Sequence, residues 1–317
     1  MTDRLGFSLT QLRYFVVSAE IGNISEAAEQ LCASQSTVSS AIMRLERQLG
    51  VQLLLRHHAR GVSLTPSGRH LLREARALLG QARSLKAQGD ALAGETAGQL
   101  DVGFFFPIAP FLLPQVCRMA EERYGALQLN VHEASADRLL EFLRDGRCEL
   151  AVTYDFLSGD SRFHPLADLT VHALVADDDP MGMAGSLGLD ELATRPLVTL
   201  NTPSVLRHVE RMFARAGVRM PRVVATTSLE TMRGLVAAGS GFALMYQRAS
   251  HARTLDGGSV RAVDIADDLP PSSLGVAMMP DLVMTSRGRA FVDVLASAVS
   301  AGARRAQVSA GQQVGAR

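Results

Sequence analysis

Apolar side chains recur at helical spacing in three short stretches within the first fifty residues. Leu9, Leu12, Phe15, Val16 and Ala19 make one stripe. Ala27, Ala28 and Leu31 make a second, after a Gly22-Asn23 break and a Ser25-Glu26 pair suited to a helix start. Val38, Ile42, Leu45 and Leu49 make a third, opened by the capping residue Ser34 and closed by Gly50. The opposite face of this third helix is polar and carries Gln35, Ser36, Thr37, Ser40 and Arg44. Only Cys32-Ala33-Ser34 separates it from the second helix, so the pattern predicts a helix-turn-helix. Beyond Gly50, two extended runs at 51–55 and 62–65 flank the basic stretch Arg56-His57-His58-Ala59-Arg60-Gly61, which predicts a hairpin wing.

The period changes at Thr65-Pro66, a cap followed by proline at the first helical position. Leu71, Leu78, Leu85 and Leu92 then recur every seven residues, with Ala75, Ala82 and Gly89 four after the first three. This predicts one helix of roughly 28 residues, about 42 Å long. Its seam of leucines and small residues suits a partner helix, with Leu71, Ala75, Leu78, Ala82 and Leu85 as dimerisation residues and Arg73, Arg76 and Arg83 outside the seam.

From Leu100 the pattern alternates between strands and helices. Strands are expected at 100–104, 127–132, 149–153, 171–176, 196–200, 222–226, 242–245, 260–264 and 274–278. Helices are expected at 107–124, 137–145, 204–216, 230–238 and 286–299. Such alternation argues an α/β class with a parallel-type sheet and helices on both faces. The expected organisation is a winged helix-turn-helix at 1–65, a linker helix at 66–93 and a two-lobed α/β domain at 94–300. Lobe I would take 94–168 and 270–300, and lobe II 169–269, the chain crossing near Asp168 and returning near Pro270-Pro271. The small-residue tail at 301–317 is expected to be disordered.

Composition narrows the function. The chain has 317 residues, more than one core usually serves, and 47% of them are apolar. Its formal net charge of zero hides a dipole: residues 1–93 carry eleven basic and seven acidic side chains, a net of +4, against −4 in the remainder. Local positive charge on a small module is the footprint of a polyanion partner. Gln pairs with adenine and Arg with guanine in the major groove, while Ser and Thr suit phosphates. Arg56 and Arg60 on the wing suit phosphates or a minor groove. The apolar run 102–114 is about 13 residues long and contains three prolines, short of the roughly 20 needed to span a bilayer. With no secretory leader and three scattered cysteines, the chain is expected in the cytoplasm, away from membranes.

Residues 9–68 resemble the winged helix-turn-helix of the LysR-type transcriptional regulators. The resemblance rests on Ala27-Ala28, Ser34-Gln35-Ser36, Val38-Ser39, Ile42, Leu45-Glu46, Leu49-Gly50, Leu53, Arg56, Leu64-Thr65 and Gly68. Leu54 stands where the family often has Phe. Ser40 and Met43 stand where a basic or larger polar side chain is common. The resemblance implies a regulator that binds double-stranded operator DNA as a homodimer or homotetramer and responds to a small-molecule effector. Its C-terminal domain would be like the periplasmic binding proteins, with RNA polymerase as a further partner and no cofactor. Two-fold protein symmetry would match an inverted-repeat operator.

Ligands in such α/β domains sit beyond the carboxyl ends of strands. That rule selects Phe105, Pro107 and Ile108, then Ser135, then Tyr154, and in the second lobe Thr202, Ser204, Glu230 and Met232. Three successive Phe before Pro107 favour an effector with an apolar or aromatic portion. The helix starts at Ser204 and Glu230 suit a carboxylate.

Two other classes compete. The chain lacks G-x-S-x-G, G-x-x-x-x-G-K-[ST] and H-E-x-x-H, and Gly239-Ser240-Gly241 reads as a helix-to-strand turn, so an enzyme is not expected. His57-His58 lacks a third ligand nearby, so no metal is expected. Some members of the family sense peroxide through a cysteine pair, which makes a thiol-based redox regulator the alternative. Cys117, expected on the inner face of its helix, and Cys148, at a strand start, read instead as small buried apolar groups.

Overall fold

The computed structural model describes residues 6–57, 61–92, 96–249 and 251–314. They divide into two compact units. The first is Met1–Ala93 with Arg144–Arg147, and the second is Gly94–Leu143 with Cys148–Arg317.

The first unit begins with α1 (Leu9–Ile21), α2 (Ile24–Gln30) and α3 (Gln35–Leu49). Each start is capped by a side chain: Ser8, then Asn23, then Ser34, whose Oγ accepts the Thr37 amide at 3.1 Å. The cap of α2 is Asn23, two residues before the Ser25 expected from sequence. The three apolar stripes converge on Phe15, Ala27, Val38, Ile42 and Leu45, all essentially inaccessible to water. The wing follows as β1 (Leu54–His57) paired antiparallel with β2 (Gly61–Leu64). Gly61 is required here. A Cβ would lie 2.2 Å from the Gly22 carbonyl, and Val62 donates its amide to that same carbonyl at 2.7 Å.

Helix α4 (Pro66–Leu92) then packs on α1. Its first turns close the head's own core, with Leu72 and Ala75 buried in it and Leu71 and Leu79 half-buried against it. This corrects the expected role of Ala75: its surface is already spent within its own chain. Leu78 and Leu85 remain 44% and 72% exposed, and Ala82 is half-buried.

The second unit has two lobes. Lobe I contains β3 (Gly98–Phe105), α5 (Ala109–Arg123), β4 (Leu127–Ala134), α6 (Ala136–Arg144), β5 (Leu150–Tyr154) and β6 (Arg162–Leu169). Lobe II contains β7 (His172–Ala176), β8 (Ser186–Leu187), α7 (Leu189–Leu192), β9 (Leu197–Leu200), α8 (Pro203–Arg215), β10 (Val223–Thr226), α9 (Leu229–Ala237), β11 (Ala243–Met245) and β12 (Val260–Ile265). The chain returns to lobe I through β13 (Ser272–Met278) and ends in α10 (Ser286–Val314).

Lobe I is a five-stranded sheet in the order β4-β3-β5-β13-β6. Strands β3, β4 and β5 are parallel, but β13 runs antiparallel to both β5 and β6. In lobe II, β7 pairs antiparallel with β11 and β12, while β9 and β10 are parallel. The sheets are therefore mixed, not of the parallel type expected. A chain that leaves one lobe along β6 and re-enters beside it along β13 must run in opposite directions. The crossing points pair directly, Leu169 opposite Ser272 and Asp168 opposite Ser273.

Strand β6 has no counterpart in the sequence expectations. It is an edge strand with mostly exposed or half-buried side chains and contains Pro165, tolerated at an edge. Helix α10 continues to Val314, through much of the segment expected to be a disordered tail. Alanine, the best helix former, recurs along that segment as Ala301, Ala303, Ala306 and Ala310, which outweighs its small-residue look.

Candidate functional site

Two sites emerge, one in each unit. In the head, the apolar stripe of α3 points inward, so Gln35, Ser36, Thr37, Ser40 and Arg44 all stand exposed on its outer side together with Met43. The Ser34 hydroxyl lies 2.9 Å from that of Ser36 and 2.7 Å from that of Thr37, which orders the first turn. Glu46 accepts the Leu53 and Leu54 amides at 2.8 and 3.1 Å and so ties α3 to the wing's first strand. Arg56, exposed on that strand, donates to the Ser39 hydroxyl at 2.9 Å. A wing cation is thereby brought beside the polar row of α3. Arg60 lies outside the described residues.

In the second unit, a cavity of about 70 Å³ lies between the lobes. Phe105, Pro107 and Tyr154 line it from lobe I and Met232 from lobe II, as the post-strand rule expects. Ile108 does not reach it, being fully buried in the lobe I core. Ser135 is absent from the lining; its carbonyl accepts the Leu139 amide at 2.9 Å in the first turn of α6. Thr202 is buried without a hydroxyl partner among the described residues. Ser204 donates across the lobes to Asp137 at 3.3 Å. Glu230 is committed elsewhere, accepting from Arg233 at 2.9 Å and from the Leu255 amide at 2.7 Å.

Sequence reasoning missed the side chains that fill the cleft. Phe156 of lobe I stacks on His208 of lobe II, with ring centroids 3.5 Å apart and planes 7° from parallel. Tyr154 and Tyr246 approach with centroids 5.2 Å apart. His208 Nε2 lies 2.7 Å from the Tyr246 hydroxyl, which accepts from Ser272 at 2.9 Å. Burial holds the His208 imidazole down to about 4, helped by the Arg211 cation and opposed by Asp155, so the ring is neutral near pH 7. Burial pushes the Tyr154 and Tyr246 phenols up. Signals for these residues existed. Phe156 lies two residues past the end of β5, His208 sits one helical turn after Ser204, and Tyr246-Gln247 directly follow β11.

The thiols lie apart from the cleft lining. Cys148 is buried, as expected. Cys117 is exposed, because Leu112, Val116 and Ala120 form the inner face of α5. Partial burial pushes its thiol up, which disfavours the reactive thiolate. Among the described residues no three metal-ligating side chains converge, and no helix is long and apolar enough to cross a membrane.

Comparison with known proteins bears on both sites. Residues 9–69 match the family described as "Bacterial regulatory helix-turn-helix protein, lysR family", and residues 93–300 match "LysR substrate binding domain". The hydrogen peroxide-inducible genes activator of Pectobacterium carotovorum is 31% identical over 75% of this chain and 79% of its own. The DNA-binding transcriptional dual regulator OxyR of Escherichia coli is 30% identical over 75% and 78%. Among solved structures, a full-length OxyR variant from Pseudomonas aeruginosa superposes with a TM-score of 0.72 at 27% identity, covering 92% of this chain and 94% of that one.

Proposed function

Given that the chain belongs to the LysR family of transcriptional regulators, we propose that it grips duplex operator DNA with the outer face of α3 and the wing, and that a small molecule in the interlobe cleft alters that grip. The observation that carries the first half is the Arg56–Ser39 contact, which adds a wing cation to the exposed row of Gln35, Ser36, Thr37, Ser40 and Arg44. Helix residues would meet base edges while Arg56 meets phosphate. A second copy of the chain is the partner that suits the exposed Leu78 and Leu85, giving a homodimer or a pair of dimers on two half-sites. RNA polymerase is the further partner that such a regulator engages once bound.

The effector acts through differential affinity for two arrangements of the oligomer. The peroxide-linked names of the relatives suggest a thiol switch. However, the cleft is lined without a cysteine, and partial burial pushes the Cys117 thiol up, which disfavours its thiolate. The ligand-responsive reading is therefore preferred.

Footprinting on the DNA upstream of the chain's own gene tests the proposal, using the wild type and Arg56→Ala. Arg56→Ala is expected to weaken cognate and scrambled DNA alike and to lower the salt dependence by about one phosphate's share. Loss confined to the cognate sequence would assign Arg56 to base reading instead. Full peroxide responsiveness that disappears in Cys117→Ser or Cys148→Ser would restore the thiol switch.

A further inference from the structure

The cleft's lining limits what it accepts. Tyr154, His208 and Tyr246 are its ionisable side chains, and no Lys or Arg stands among the lining residues. Asp155 and Arg211 both act on His208 from nearby and are opposed in sign. The start of α8 would be the natural berth for an anion, but Ser204 there already meets the Asp137 carboxylate. A carboxylate entering this space would shed its hydration without gaining a counter-ion.

Hydrogen-bonding capacity is nevertheless present. The ring of His208, the Tyr246 hydroxyl and Ser272 satisfy one another. The side-chain nitrogen of Gln247, by contrast, is buried at the lining and makes no well-formed hydrogen bond among the described residues, approaching only the phenol of Tyr154 on the same lining. The Thr199 and Tyr154 side chains share that lining. Space is short: about 70 Å³, where a dry cavity of about 150 Å³ accepts one benzene and drug-sized sites span about 300–1,000 Å³.

We propose that the cleft takes a small uncharged molecule of about three to five heavy atoms, with an acceptor oxygen for the Gln247 amide and an apolar end against Val171, Leu244 and Met232. Primary amides have this chemistry, whereas carboxylates and aromatic acids do not. The inference rests on the cleft being the effector site, and it replaces the aromatic or carboxylate effector suggested by the sequence.

The test uses full-length protein at pH 7 and constant ionic strength. Saturation-transfer NMR would compare acetamide with acetate, propanamide with propionate, and benzamide with benzoate. The small amides are expected to bind at least tenfold tighter than their acids, and benzamide no tighter than propanamide. Gln247→Leu and the unbranched Gln247→Met should both collapse the amide-over-acid ratio toward one. Acids that bind as tightly as their amides would overturn the proposal. So would the absence of any amide binding, or a ratio unmoved in both variants. Amide binding that follows this pattern but leaves the operator footprint unchanged would uphold the neutral site and overturn the effector role of the cleft.

Discussion

The two sites are built on opposite principles. The head's site is a surface, made by residues that lie within 22 positions of one another from Gln35 to Arg56, and its polar side chains face outward. The cleft is an interior, assembled from Phe105 at the end of β3, Tyr154 and Phe156 at and just past the end of β5, His208 within α8 and Tyr246 just past β11, and its ionisable groups are held neutral. A surface that meets a polyanion needs fixed charge and a rigid apolar back. A cavity that meets a small molecule needs shape, dryness and a few placed donors. Periodicity in the sequence therefore exposes the first kind of site and conceals the second.

The contrast breaks most decisively at the head's core. Ile42 is fully buried behind the exposed row of α3. Ile42→Ala should destabilise the head by about 2–5 kcal/mol, with DNA binding lost while the α/β unit keeps its own transition in a denaturant titration. A single shared transition shifting as a whole would show that the units are one cooperative block. On the outer face of the same helix, Gln35→Ala should cost about 1–3 kcal/mol at one base position and leave binding to scrambled DNA unaltered in a competition assay. Equal losses on both DNAs would remove Gln35 from base reading.

Ser34→Ala deletes the cap of α3 and should cost about 1 kcal/mol, read as a lowered Tm with sequence preference intact. The smallest effect belongs to His208, whose half-buried ring is partly screened by water. Its folded value of about 4 lies below the ordinary 6.5, so the unfolded chain binds the proton more readily. Stability from the neutral ring is complete above pH 6.5 and declines as the pH falls toward 4. Against wild type, His208→Phe should flatten the fall of Tm over that window. An identical slope in the variant would deny that the cleft excludes charge.

How much was legible depends on where each signal resides. The three head helices, the wing, the linker helix and most strands of the α/β unit follow from caps, glycines and apolar spacing, because each is a local pattern. Ala75 was misplaced because one apolar stripe serves two purposes: its first turns cover the head's own core, and only Leu78 and Leu85 stay open. Glu230 was misplaced because an acid at a helix start looks alike whether it awaits a ligand or, as here, fastens Arg233 and the Leu255 amide. Strand β6 was invisible because an edge strand needs neither strict alternation nor freedom from proline.

By itself, the sequence determined the family, the class of fold, the polar face of α3 and the turns from which lobe I approaches its cleft. All of these depend on side chains within a few residues of each other, where propensity and periodicity act. Only the tertiary structure decided that β13 returns antiparallel, that Asp137 meets Ser204, and that Phe156 stacks on His208 to leave a narrow neutral cavity. Those outcomes depend on which distant surfaces exclude water together, and burial of that kind has no period along the chain.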